Sequence, residues 1–167
     1  MGNSFQLRGR LPYALLVAGT LVLDRWTKVF IQSRFDLNES IPVIDGFFNI
    51  TYLRNTGVAF GIFSSVSSPT KSILLSVFTA CAAAFVVTYS VRSPVRNRLL
   101  QTALSLILGG ALGNLYDRLA YGYVVDFLEF YVRDYHWPSF NVADSAISTG
   151  VALLALEIIR NETPGRT

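Results

Sequence analysis

Eleven acidic side chains occur among the 167 residues, and several stand in apolar surroundings. An ionised carboxylate there is costly and marks a functional candidate. Asp24, Asp144 and Glu157 interrupt apolar stretches, Asp117 closes one, and Asp126 sits inside Val124-Val125-Asp126-Phe127. Serine or cysteine nucleophile chemistry needs an imidazole at the site. The single histidine, His136, falls beside Trp137 and Pro138 in an aromatic segment, and the single cysteine, Cys81, falls among alanines and reads as helix packing. A Ser/Lys dyad would need Lys28 or Lys71. Lys71 flanks an apolar run as an anchor, and Lys28 stands four residues after Asp24 as its salt-bridge partner. One Cys and one His assemble no Cys/His zinc site, so neither a metal nor another cofactor is expected. Carboxylates remain. Two of them held close do not both ionise readily. The ionised one can deprotonate a water while the protonated one polarises a peptide carbonyl, which is amide hydrolysis without metal or covalent intermediate.

Asp126 and Asp144 form the best pair for that chemistry. Spacing leaves the choice open, because Asp24, Asp117 and Asp126 compete as partners for Asp144. A purely structural reading, in which Arg118 and Lys28 neutralise the carboxylates, has equal standing at this point. Asp117 beside Arg118 fits it better than Asp126 does. Two polar faces add to the case. Asn141, Asp144, Ser145 and Ser148 recur at i, i+3, i+4 and i+7, and Gly110, Asn114, Asp117 and Arg118 at i, i+4, i+7 and i+8. Such faces fit poorly against lipid and are expected to meet each other, though as bundle glue they would also be explained. Gly109 and Gly113 form a small-xxx-small pair that lets another helix approach closely.

The elements that must position these residues follow from the charge-free runs. With 51% hydrophobic and 15% charged residues, the chain is not an ordinary soluble domain, which carries about 25% charged residues. Ser72 to Val91 and Leu99 to Tyr116 carry no charge and match the roughly 20 residues of a membrane-crossing helix. Spans are expected at about 11–31, 72–91, 99–116 and 140–159, giving a single membrane domain over 1–167. A cleavable signal peptide after Arg8 and Arg10 is the other reading of the first run. No small-residue cleavage site follows Leu23, and Asp24 to Lys28 continue at helical spacing.

Arg8, Arg10, Arg92, Arg96, Arg98, Arg160 and Arg166 collect on one side of such a bundle against Glu162 alone, while the other side is slightly acidic. The positive-inside rule then makes both termini cytoplasmic. The net charge of +3 is thus a membrane rim, not a nucleic-acid surface. Asp24, Asn114, Asp117 and Asp144 fall at similar depth, toward the outer face. On that side, Ile41 to Ile44, Asp45-Gly46 and Phe47 to Leu53 read as a hairpin. Asn55-Thr56-Gly57 reads as a second turn leading into Val58 to Phe63, so that an antiparallel sheet spans about 41–63. The aromatic segment at about 119–138 suits the interface, with a short interfacial helix expected over Val125 to Tyr135. The fold class is therefore a mainly α membrane protein, a four-helix bundle with a small outer sheet and a short interfacial helix.

The chain closely resembles the bacterial lipoprotein signal peptidases (signal peptidase II). The matching blocks are Asp24 with Lys28, Arg54-Asn55-Thr56-Gly57-Val58-Ala59-Phe60, Gly109 to Arg118, Val124-Val125-Asp126-Phe127 and Phe140-Asn141-Val142-Ala143-Asp144-Ser145, in order along the chain. The resemblance implies an aspartyl endopeptidase of the inner membrane that cleaves prolipoproteins on the amino side of a diacylglyceryl-modified Cys. It implies Asp126 and Asp144 as the catalytic pair, with Asp24, Asn55, Gly57, Asn114, Arg118 and Asn141 supporting pair and substrate. The expected partners are prolipoprotein substrates and membrane lipids, with no nucleic acid and a monomeric state. Arg25 departs from the Gln expected after Asp24, and Val58 stands where Ala is common. Two other readings are a small proton- or cation-coupled transporter or channel subunit, and a non-catalytic scaffold. The transporter predicts carboxylates spread across the bilayer, whereas these gather in its outer third apart from Glu157.

Overall fold

The computed structural model describes residues 2–57 and 68–162. Its elements in chain order are α1 (Gly2–Arg34), β1 (Ser40–Ile44), β2 (Phe48–Asn55), α2 (Ser68–Arg92), α3 (Arg98–Tyr121), β3 (Val124–Val132), β4 (Tyr135–His136) and α4 (Val142–Glu162). The expected strand over Val58 to Phe63 lies outside the described residues. Among the described residues, three segments are long and apolar enough to cross a membrane: Thr70–Arg92, Arg98–Tyr121 and Val142–Arg160. The long α1 joins them in the bundle with Asp24, Arg25 and Lys28 in its second half.

Helix α3 lies at the centre and packs on α1, α2 and α4. Its ends are set locally. Asn97 caps the start by accepting the Leu100 N–H at 3.1 Å, and Gly122 closes it in the left-handed conformation (φ 78°) with its N–H on the Arg118 carbonyl. The small residues of α3 explain how close its neighbours come. A Cβ on Gly110 would strike the Ala143 carbonyl oxygen of α4, and one on Gly113 would stand 2.5 Å from Asp24 Oδ2 of α1. The Gly109/Gly113 pair therefore faces α1, where Gly109 meets Thr20. Apolar side chains point outward, as a lipid-facing surface requires: Leu15, Val22, Trp26, Phe78, Phe85 and Ile159 are among the exposed ones. Cys81 is exposed on α2 as well, so the packing role expected for it does not hold.

The sheet is antiparallel in the order β1-β2-β3-β4. Its first hairpin forms as expected, with Gly46 at φ 76° in a turn over 45–47 and Ile44 opposite Phe48. The interfacial helix expected over Val125 to Tyr135 is corrected to a strand and a short hairpin. The reason is pairing: β3 has a partner in β2, with Leu53 opposite Asp126 and Asn55 opposite Val124. Strand alternation then separates neighbours in sequence. Val125 and Phe127 enter a core with Ile31 and Tyr52, while Asp126 between them turns to the other face. Arg133 (φ 55°) helps turn the chain into β4, where His136 stacks on Tyr131.

Candidate active site

The site forms where the start of α4, the C-terminal half of α3 and strands β2 and β3 converge. Asn141 precedes α4 and makes a reciprocal capping box with Asp144. The Asn141 side chain accepts the Asp144 N–H at 2.9 Å, and Asp144 Oδ2 accepts the Asn141 N–H at 3.2 Å. The Ala143 N–H, another unpaired donor of that first turn, goes to Asp24 Oδ1 at 2.9 Å. A helix start thus holds Asp144 in one orientation.

The amide of Asn141 also reaches β3, donating to Asp126 Oδ1 at 2.8 Å. Asn55 of β2 donates to the other Asp126 oxygen at 2.9 Å and accepts the Gly57 N–H through its own carbonyl oxygen. Asn114 of α3 donates to Asp144 Oδ1 at 2.7 Å. Three asparagines therefore orient two carboxylates, and Asn141 touches both. Gly57 has its own reason: a Cβ there would stand 3.1 Å from Lys71 Nζ. Lys71 thus lies beside the site, not only as the anchor expected at the start of α2.

Asp126 and Asp144 line one cavity of about 780 Å³, together with Asn55, Gly57, Asn114, Arg118, Ser145 and Ser148. Its wall on the α2 side is apolar (Leu75, Phe78, Ala82), and Trp137 to Phe140 form another edge. Burial pushes the Asp126 carboxyl up to about 7, the nearby Asp144 charge adds to the rise, and the amides of Asn55 and Asn141 oppose it. Near neutral pH the pair accordingly holds a proton that an ordinary pair of aspartates would lose.

Behind this pair lies a second layer with a different balance. Lys28, fully buried, stands 2.8 Å from Asp24 and 3.0 Å from Asp117, and donates to Asn114 Oδ1 at 3.0 Å. Arg25 pairs with the other oxygen of Asp117. The expectation that Arg118 neutralises the carboxylates is thus corrected for Asp117, whose cationic partners come from α1. Arg118 instead lines the cavity, donates to the Asn114 carbonyl at 3.4 Å and attracts both Asp144 and Asp126. Asp24, Asn114, Asp117 and Asp144 do meet in one layer, as their depths implied. Sequence reasoning missed the capping role of Asn141, although Asn-x-x-Asp before an apolar run was a visible signal. It also missed Arg25 as the partner of Asp117, for which nothing local pointed the way.

Amide-held carboxylates lining an open cavity are chemically suited to metal-free peptide hydrolysis. The pattern described as Signal peptidase (SPase) II matches residues 16–160. The chain belongs to the signal peptidase II family. A lipoprotein signal peptidase of Geobacter sulfurreducens is 50% identical over 147 residues, covering 88% of this chain and 91% of that protein. One of Syntrophus aciditrophicus is 44% identical over 149 residues, covering 89% and 92%. A solved bacterial membrane enzyme, determined by the in meso method at 2.3 Å, superposes with a TM-score of 0.82 at 31% identity over 93% of this chain and 94% of that one. As a member of this family the chain is a peptidase, and the transporter and scaffold readings are set aside.

Proposed function

We propose that this peptidase removes signal peptides from prolipoproteins, cutting on the amino side of a diacylglyceryl-modified Cys, with Asp126 and Asp144 as its catalytic pair. The observation that carries this is the joint exposure of the two carboxylates to one cavity, each held by asparagine amides. The ionised member takes a proton from water, and the oxygen attacks the scissile carbonyl carbon. The protonated member gives its proton to the carbonyl oxygen, leaving a neutral tetrahedral diol. Collapse of the diol breaks the C–N bond, with a proton returned to the departing amine.

Supporting roles follow from the contacts. Asn55, Asn114 and Asn141 fix the carboxylates, Asp24 braces the start of α4, and Gly57 keeps Asn55 and Lys71 close. Arg118 balances charge at the cavity floor. Helix α1 crosses the bilayer with the other three helices, completing a four-span bundle with both termini in the cytoplasm. Its exposed Leu11, Leu15, Val22 and Trp26 suit a lipid-facing side. The pair then lies near the outer leaflet of the inner membrane, where a diacylglyceryl group keeps its acyl chains in lipid and water still reaches the bond. An aromatic groove of about 380 Å³ on the outer sheet shares Trp137 and Phe140 with the cavity and adds an interfacial rim. The enzyme acts as a monomer, since one chain supplies every group named.

The test is cleavage of a diacylglyceryl-modified prolipoprotein and of its unmodified form by purified protein. The modified substrate should be cut and the unmodified one spared, and Asp126→Asn and Asp144→Asn should each be inactive while still folded. Undiminished cleavage by either variant would sink the pair.

A further inference from the structure

Asp117 is fully buried, and its two oxygens serve different halves of the site. One accepts from Arg25. The other meets Lys28 at 3.0 Å and accepts the Val125 N–H at 3.2 Å. Val125 is the residue before Asp126, and Lys28 donates to Asn114, which holds Asp144. Asp117 therefore reaches Asp126 through the adjacent Val125 on one side, and Asp144 through Lys28 and Asn114 on the other. Its own charge is balanced only in part by Lys28, which also pairs with Asp24.

Arg25 supplies the missing positive charge. Its guanidinium stands 4.5 Å from the centre of the Tyr116 ring and 5.7 Å from that of Tyr121, and it donates to the Tyr121 hydroxyl at 3.3 Å. Its side chain is 18% exposed, so it reaches the buried acid from the rim of the bundle. A planar cation held between rings and a carboxylate is a task that lysine performs poorly. With Arg25 in place, Asp24 and Asp117 are matched by Lys28 and Arg25, two charges of each sign.

We propose that Arg25 is a positioning residue of the reaction, which completes the charge of Asp117 and so leaves Lys28 shared among Asp24, Asp117 and Asn114. This rests on Asp126 and Asp144 being the catalytic pair. The charged groups facing that pair are Arg118 from α3 and, behind Asn114, Lys28 and Asp24 from α1 and Asp117 from α3. Lys71 of α2 lies beside Gly57, and β2 offers the uncharged Asn55. Replacing Arg25 by Gln leaves all of these and removes one positive charge from the layer behind the pair. Lys28 is then drawn to an undercompensated Asp117, and protons are held more tightly throughout the site.

The experiment is the pH dependence of kcat and KM for cleavage of a diacylglyceryl-modified prolipoprotein by the full-length protein in lipid. For Arg25→Gln we expect kcat to fall about tenfold with KM nearly unchanged, and the bell-shaped profile to move to higher pH by on the order of half a unit. Arg25→Lys, which keeps the charge, should return the bell to its wild-type position with part of the rate. If Arg25→Gln cannot be isolated folded, Tyr116→Leu releases the guanidinium and should move the bell the same way by less. A bell at the wild-type pH in the folded variant, whatever happens to rate or melting temperature, overturns the proposal. Asp126→Asn in the same assay separates the two ideas. If it is inactive while Arg25→Gln keeps the wild-type bell, the pair stands and the role of Arg25 falls. If it cleaves at the wild-type rate, the pair falls and the proposal with it.

Discussion

The molecule buries polar side chains at both ends of its bundle, and the two clusters use them differently. At the end near the α2–α3 connection, Gln101 is fully buried and donates to the Ser90 carbonyl at 3.0 Å while accepting from the Ser90 hydroxyl. Arg10 joins it with hydrogen bonds to the carbonyls of Ser90, Val91 and Ser93. The Ser90 and Val91 carbonyls belong to the last turn of α2 and that of Ser93 lies just past it, where helical donors run out. Asn97 likewise starts α3 and donates to Glu157 at 2.6 Å. At the other end two carboxylates turn toward one cavity, Asp126 buried and Asp144 half-buried, with amides as their direct partners. Burial of polar atoms alone therefore does not mark a reactive site. What marks it is like charge kept close beside open volume, an arrangement that costs stability and stands ready for proton transfer.

The predictions test that contrast. In the carboxylate cluster, Asp126→Asn or Asp144→Asn should each lower kcat by on the order of 1000-fold, and the double variant should be scarcely worse than either alone, because the two groups act as a unit. Steady-state kinetics on the lipidated substrate measures this, and additive losses would argue for independent roles. Asn141→Ala removes a donor to Asp126 together with the cap of α4. It should cost roughly 10- to 100-fold in rate and about 1 kcal/mol in stability, readable by parallel kinetics and thermal melting.

In the Gln101 cluster, Gln101→Ala removes the acceptor of the Ser90 hydroxyl and one donor to the Ser90 and Ser93 carbonyls, and should cost about 1–3 kcal/mol of stability. Its pH–rate profile should keep the wild-type position, since no group that titrates with the pair is touched. A moved profile would break the distinction between the clusters. The smallest effect is a slope. The Asp126 carboxyl is raised from 3.8 to about 7 in the fold, so the fold favours its protonated form. The stability tied to that proton is complete below about pH 4 and is lost as pH rises through about 7. Asp126→Asn should remove this slope, so its melting temperature should gain on wild type by a few degrees between pH 5 and pH 8.

Much of this arrangement was legible before any coordinates. The charge-free runs at 72–91 and 99–116 marked two helices, Asp45-Gly46 marked the first turn, and isolated acids in apolar settings marked the candidate pair. The strand at Val124–Val132 was not legible. Its aromatic and branched residues suit an interfacial helix and a strand alike, and the choice was made by hydrogen bonding to β2, remote in the chain. Asp117 shows the same limit at a single residue. Its neighbour in sequence is Arg118, yet its partners are Arg25 and Lys28, brought in by the close packing of α1 on the glycines of α3.

By itself, then, the sequence determined which residues would be costly to bury and which segments would be helical in lipid. Those are properties of composition and local spacing: hydration of charge, the length of an apolar run, the geometry of a turn. Only the tertiary structure decided which acid faces which. Alternation along β3 turns Asp126 away from the core that takes Val125 and Phe127. The first turn of α4 aims Asp144 at the same cavity, and the approach of α1 hands Asp24 and Asp117 to cations instead. Four similar carboxyl groups thereby divide into a cavity-facing pair, proposed as the reactive one, and a neutralised pair, because electrostatic energy depends on distance in space, which sequence spacing does not specify.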